Sequence, residues 1–323
     1  MSGALPVPVI TRDAAWDRLT WPGAVEALRR GHARPRAQIR DTFLGPAEAT
    51  MMTRSAWIAG LGYGAKVFTV LDANAARGIP TVQGMMLVFD PDTGAPRALV
   101  ENRLVTDLKT AADSVLGASL LARPDSRHLL VAGAGHVAET LVRAYGAVLP
   151  GIERISVWAR RPDQARALAA RLDGCGPAVS AVADLPGAAA QADIIAAATL
   201  ARQPVIAGAW VRPGTHVDLI GAYKADMREA DDALMARCAL FVDSRETAAH
   251  TGEIGLPLAS GAITADSVLG DLYDLVQPQA RRRRSDAEIT VFKNGGGAHL
   301  DLMVADWIVE AMTGASLDAG RAP

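Results

Sequence analysis

The stretch LLVAGAGHVAETLVRAY (129–145) sets two glycines, two residues apart, where an apolar strand-like run gives way to a helix-like one. In this GxGxxA pattern Gly133 permits a tight turn, Gly135 lets the backbone approach a pyrophosphate, and Ala138 keeps helix and strand close. His136 and Val137 follow at the helix start, where backbone N–H groups stabilise an anion. The pattern alone is weak, but here it follows a strand and opens a helix, which is the context a dinucleotide site requires. The next strand ends in VWARRPD (157–163), with Ala159 where an acid would accept bonds from a ribose 2′-hydroxyl, then Arg160 and Arg161. Two guanidinium groups suit a 2′-phosphate, which points to NADP(H) in preference to NAD(H). The competing reading leaves both arginines in solvent.

The elements around this turn suggest how it is positioned. From Asp107 onward the chain alternates apolar strands with helical stretches: a helix over 109–123, then HLLVA, ERISVWA, DIIAAAT, THVDLIG and ALFVDS, separated by helical runs such as PDQARALAARL. That alternation predicts a doubly wound parallel sheet of the Rossmann type, covered on both faces. The first ~110 residues read differently. A helix over 22–33 precedes short strands over 65–71, 81–90 and 96–102, with DPDTGAP (90–96) as a turn. This is an α+β segment with no nucleotide signature. The tail, 289–312, reads as a strand, a glycine-rich turn and a long amphipathic helix.

Bulk composition narrows the class of function. At 323 residues the chain fits two domains. A net charge of −2 gives no electrostatic case for a nucleic-acid or membrane partner. The basic run Arg281–Arg284 reads as a solvated loop. Cys175 and Cys238 lack a second thiol or histidine at ligand spacing, so no metal site is expected, and two cysteines make no disulfide framework. The N-terminus shows no export signal and no apolar run reaches the ~18 residues a bilayer span needs. A cytoplasmic protein is expected.

The assembled segments resemble the ornithine cyclodeaminase/μ-crystallin family over nearly the whole chain, in order. RPRAQ (34–38) is similar to its arginine-bearing first strand, GAKVFTV (64–70) to its lysine-bearing strand, ARGIPTVQG (76–84) to its threonine segment, and TDLKTAADS (106–114) to its arginine-threonine-alanine-alanine helix start. GAGHVA, TLARQP (199–204), IGAYKADMRE (220–229), VDSRE (242–246) and ITVFKNGGG follow. The resemblance implies a substrate-binding and dimerisation domain, residues 1–112 plus 296–323, into which a dinucleotide-binding domain, 113–295, is inserted, with the active site in the cleft and the chain a homodimer. It implies a small imino or amino acid as substrate.

By the same resemblance Arg36 and Lys66 bind the substrate carboxylate, a role for which a compact buried anion needs fixed cationic donors. Thr81, Thr110, Thr199 and Asn294, with Gly221 and Gly295 in the same segments, fall where the family contacts the cofactor; Asn294 stands in place of a usual serine. Two positions depart from the family. Lys109 replaces an arginine that meets both substrate carboxylate and cofactor phosphate, keeping the charge but losing the bidentate fork. Tyr223 replaces the aspartate with which cyclodeaminases handle the amino group, and a phenol with a pKa near 10 is a poor base for ammonia release. Asp226 fills that role only with a shift in the loop. Of the histidines, His299 is weighed as a proton donor, with packing at a helix start as the ordinary alternative.

The expectation is therefore an NADPH-dependent reductase of a small 2-imino acid, a cyclic ketimine such as Δ1-pyrroline-2-carboxylate or Δ1-piperideine-2-carboxylate, giving an L-amino acid. Lys66 and Tyr223 are its expected catalytic residues. Ornithine cyclodeaminase, an alanine-type dehydrogenase and a non-enzymatic NADPH-binding protein are the rivals.

Overall fold

The computed structural model describes residues 7–314. The chain divides into two compact units: one takes in the residues up to Lys109 together with those from Gly297 on, the other is Thr110–Gly296. Both are α/β in construction, and among the described residues no helix is long and apolar enough to cross a membrane.

The first unit is built on a six-stranded sheet, β1 (Val9–Ile10), β2 (Gln38–Leu44), β3 (Ala49–Ile58), β4 (Gly62–Leu71), β5 (Val82–Phe89) and β6 (Pro96–Glu101), in the order β1-β6-β5-β4-β3-β2. Only β1 pairs in parallel; the rest form an antiparallel meander. Alternation along each strand separates the faces. One face carries Ala56, Ile58, Met86, Val88, Ala98 and Val100, all buried, and the helix Ala298–Thr313 packs on it beside the helix Trp21–His32. Gly31 and Gly23 allow this close helix contact, since a Cβ at Gly31 would lie 2.4 Å from the Met303 side chain and one at Gly23 2.5 Å from Trp307. β3 has no counterpart in the sequence reading. Its stretch ATMMTRSAWI mixes polar and apolar residues, and its place between two strands supplies what its own pattern lacks.

The second unit holds eight parallel strands, β7 (His128–Ala132), β8 (Arg154–Trp158), β9 (Ala178–Ala181), β10 (Ile194–Ala197), β11 (His216–Leu219), β12 (Ala239–Val242), β13 (Val268–Gly270) and β14 (Thr290–Lys293). Their order is β13-β12-β14-β11-β10-β7-β8-β9. The chain winds outward from β7 in both directions, so a topological switch point lies between β7 and β10, where such sheets bind ligands at the strands' carboxyl ends. The central strands are buried along their whole length, as a sheet covered on both faces requires. The unforeseen members, β9 and β13, are short edge strands with little apolar signal.

The arginine run corrects the reading of a solvated loop. Arg283 donates to the Leu121 carbonyl at 2.9 Å and to Thr290 Oγ1 at 3.0 Å, Arg282 donates to the Leu275 carbonyl at 3.1 Å, and Arg281 pairs with Glu288 at 3.4 Å. Guanidinium groups here satisfy carbonyls that no strand or helix partner reaches.

Candidate functional site

The glycine turn follows β7 at the switch point. Gly133 sits at φ +132°, and a Cβ there would lie 2.5 Å from the Ala198 carbonyl oxygen, so both conformation and space demand glycine. Gly135 differs: a Cβ there would meet nothing within 4 Å. It is the N-cap of the helix His136–Val148, which has no side-chain cap, so its first N–H groups and the open space above Gly135 form a cradle that fits a pyrophosphate. His136 is exposed and Val137 half-buried at this helix start, and Ala138 is buried against the sheet.

β8 pairs directly with β7. Ala159, just past its end, is buried, whereas Arg160 and Arg161 are exposed and their side chains bond to no described residue. Arg161 is the N-cap of the helix Pro162–Arg171 and offers no side-chain cap.

Further along the same strand ends, Thr199 follows β10 and Gly221 follows β11. Glu229, fully buried, ties them together. Its Oε1 accepts from the Thr199 N–H at 2.6 Å and from Thr199 Oγ1 at 2.7 Å, and its Oε2 accepts from the Gly221 N–H at 2.6 Å. Burial, and the Glu253 carboxyl beside it, push Glu229 up to about 8. Past β14, Asn294 Nδ2 donates at 3.0 Å to both the Thr110 carbonyl and Ser114 Oγ. Asp243 accepts from the N–H groups of Gly295 at 2.9 Å and Gly296 at 2.6 Å, fixing the glycine-rich turn.

The first unit carries a separate cluster of buried charge. Lys66, on β4, is 3 % exposed and donates to Asp301 Oδ1 at 2.8 Å and to Thr106 Oγ1 at 3.4 Å. Asp301 is fully buried near the start of the helix Ala298–Thr313, and its Oδ2 has no partner. Lys109 is 6 % exposed and makes no hydrogen bond or ion pair with any described residue, yet its charge acts on Lys66, Asp301 and His299. Arg54 lies in register with Lys66 on β3 and pairs with Asp41 at 2.9 Å. Burial, with Lys109 and Arg54 adding to it, pushes Lys66 down to about 8, and Asp301 limits the fall. Burial alone would raise Asp301, but Lys66, Lys109 and Arg54 hold its carboxyl below the usual range. A carboxylate-sized anion is what this excess of buried positive charge lacks.

The residues singled out from the sequence divide accordingly. Lys66 and Lys109 share the buried cluster; Gly133, Gly135, His136, Val137, Arg160, Arg161, Thr199, Gly221, Asn294 and Gly295 lie at the carboxyl ends of the parallel strands or the turns after them, and Thr110 is bonded to Asn294. Thr81 is half-buried just before β5. Arg36 is exposed, ahead of β2, and five positions from Asp41, the β2 residue aligned with Arg54 and Lys66. Tyr223 is 57 % exposed in the loop after Gly221, and Asp226 is committed to Arg202 at 2.8 Å on the surface. His299 is buried edge-on to His32 with ring centroids 5.5 Å apart. Burial, with His32 and Lys109 nearby, pushes it well below the usual range.

Sequence reasoning missed Arg54, Asp301, Glu229 and Asp243. Asp301 did leave a signal: it is an acid set between Leu300, Leu302 and Met303 on the apolar side of a helix. Glu229 and Asp243 left none, because most of their partners are backbone N–H groups.

The chain resembles known proteins along its length. The model of the ornithine cyclodeaminase/mu-crystallin family matches residues 47–316. A Δ1-pyrroline-2-carboxylate reductase of Paracoccus denitrificans is 73 % identical over 301 residues, covering 93 % of this chain and 95 % of that protein. Among solved structures, the Thermococcus litoralis Δ1-pyrroline-2-carboxylate reductase in complex with NADH and L-proline superposes with a TM-score of 0.88 at 28 % identity, covering 95 % of this chain and 98 % of the other. An archaeal alanine dehydrogenase dimer with bound NAD gives 0.88 at 26 % identity, covering 95 % and 96 %. The glycine turn at the switch point, the buried lysines and the matches over most of the sequence agree, and the chain belongs to the ornithine cyclodeaminase/mu-crystallin family.

Proposed function

We propose that the protein is a reductase that uses a nicotinamide dinucleotide, NADPH in preference to NADH, to convert a small cyclic 2-imino acid, Δ1-pyrroline-2-carboxylate or Δ1-piperideine-2-carboxylate, to the L-amino acid. The observation that carries this reading is Lys109, a buried cation without a partner beside the Lys66–Asp301 pair. Such a group is costly unless an anion joins it, and a 2-imino acid brings a carboxylate.

In this reading Lys109 and Lys66 hold the carboxylate, with Arg54 adding positive charge behind them. The uncapped helix start after Gly135 holds the pyrophosphate, and Arg160 and Arg161 take the 2′-phosphate. When bound, the dinucleotide supplies a hydride to C2 of the imine. The imine nitrogen takes a proton in the same conversion. Lys66 Nζ, held to Asp301 and pushed down to about 8, is the donor matched to neutral pH, directly or through a water; the Tyr223 hydroxyl is the alternative. The solved relatives contain NADH and NAD, so the preference for NADPH rests on Arg160 and Arg161 alone.

The exposed face of the six-stranded sheet bears on assembly. Leu44, Met51, Tyr63 and Val67 all point to the side away from the helix Ala298–Thr313 and are 37–61 % exposed. Exposed apolar side chains on one sheet face suit association, and a homodimer through that face is the proposed state.

The test is NADPH and NADH oxidation, followed at 340 nm, with each cyclic imine. Turnover with NADPH well above that with NADH is expected; no turnover with either cofactor sinks the reading. The likeness to an alanine dehydrogenase favours one rival, an open-chain 2-oxo acid aminated reductively. That activity would show as oxidation that depends on added ammonia.

A further inference from the structure

Glu229 has no part in the reaction as described, yet it is placed to control the loops that the reaction needs. We infer that Glu229 is a positioning residue: it sets the spacing of the Thr199 and Gly221 segments and so shapes the nicotinamide end of the cofactor site. This rests on the proposed reading of those segments as cofactor contacts.

All three hydrogen bonds that its carboxylate accepts come from the two segments, at 2.6, 2.7 and 2.6 Å. The segments also touch directly: a Cβ on Gly221 would lie 1.8 Å from the Thr199 carbonyl oxygen. Any change in the carboxylate therefore moves both. The backbone carrying Glu229 is itself clamped. Its carbonyl accepts from the N–H groups of Val205 and Ile206 at 2.8 and 2.9 Å. Its N–H donates to Glu253 Oε2 at 2.7 Å, and the Ala230 N–H donates to Glu253 Oε1 at 3.0 Å. Glu253, in the helix Gly252–Ser260, is buried too.

A carboxylate is an expensive way to staple two loops. Three donors converging on two oxygens explain why a neutral amide does not serve. Glutamine has one acceptor oxygen, and its NH2 would face the N–H of either Thr199 or Gly221. The donors sit past β10 and β11, beside the switch point where sheets of this kind take a dinucleotide. The adenosine half of the cofactor, by contrast, is assigned to the Gly135 turn and Arg160–Arg161, which Glu229 does not touch.

That division gives a test that does not depend on turnover. NADPH and adenosine 2′,5′-bisphosphate, which lacks the nicotinamide half, are titrated calorimetrically into the wild type and Glu229→Gln. Expected at pH 9, above the value of about 8 to which burial and Glu253 push Glu229, is a Kd for NADPH weakened about tenfold or more, from the loss of a bond to a charged acceptor, with the Kd for the bisphosphate unchanged. Unchanged NADPH binding, or equal weakening of both probes, overturns the inference, the latter because it reports general loosening of the fold. Glu253→Gln keeps the Glu229 carboxylate but loosens its backbone; it is expected to give the same selective pattern with a smaller amplitude, and keeps the test open if Glu229→Gln does not fold. A wild type that binds neither probe overturns the functional reading itself.

Discussion

Lys66 Nζ lies 2.8 Å from Asp301 Oδ1, a lysine and an aspartate 235 positions apart in sequence and both out of solvent. The pair itself is neutral, but Asp301 Oδ2 is left without a bond, and Lys109 adds a further positive charge. Buried pairs of this kind contribute little net stability, and their value lies in what they hold ready.

That pair sets a pH dependence. If protonated Lys66 is required, kcat/KM is flat at lower pH and falls as pH rises through about 8. Asp301→Asn removes the influence that raises the Lys66 pKa, so the falling limb moves to lower pH. Stability has the opposite sign. Between about 8 and the ordinary 10.5, the unfolded chain binds the proton that the folded one has lost, so the Lys66 contribution to stability rises with pH. A pH–rate profile of both proteins checks the first statement; an unmoved limb in Asp301→Asn refutes it. Lys66→Ala should lower kcat/KM about 100-fold, the scale of one lost charge-assisted bond.

Lys109 separates function from stability. An unpartnered buried cation destabilises the folded chain, so Lys109→Met, close in shape, is expected to raise Tm by several degrees. The same change should raise KM for the imino acid about 100-fold. Thermal melts and initial rates read the two effects. A lower Tm with unchanged KM would show that Lys109 serves the fold.

Cofactor choice turns on Arg160 and Arg161. Replacing both by alanine should raise KM for NADPH about tenfold or more and leave KM for NADH nearly unchanged. Because both side chains are exposed, the effect should shrink as salt is added. Equal losses with the two cofactors would assign the arginines to solvent.

Two glycines in one turn should respond in opposite ways to the same substitution. Gly133→Ala meets the Ala198 carbonyl and a φ of +132°, so it should cost about 2 kcal/mol or more in stability. Gly135→Ala meets no protein atom within 4 Å, so it should melt within a few degrees of the wild type but bind NADPH poorly. Denaturation midpoints alongside NADPH fluorescence titration distinguish them. Intact NADPH binding in Gly135→Ala would rule out close approach of the cofactor to that backbone.

Much of the fold was legible because its signals are local. The parallel unit announced itself in apolar strands alternating with helices, and the glycine turn in residues that lie within the single short segment Gly133–Ala138. Local pattern likewise marked β4, β5 and β6. β3 escaped because a mixed strand in mid-sheet is stabilised by its neighbours on both sides rather than by its own pattern, and Arg54 escaped with it.

By itself the sequence determined the residues a dinucleotide turn needs, the absence of an acid at Ala159, and the supply of cations at Lys66 and Lys109. Only the tertiary structure decided which charges meet. Sheet register put Arg54 beside Lys66, and packing of the helix Ala298–Thr313 brought Asp301 to it across 235 positions. Glu229 and Asp243 came to matter for the same reason. A carboxylate that accepts mainly from backbone N–H groups has partners set by where loops pass, and these carry no signature in the sequence.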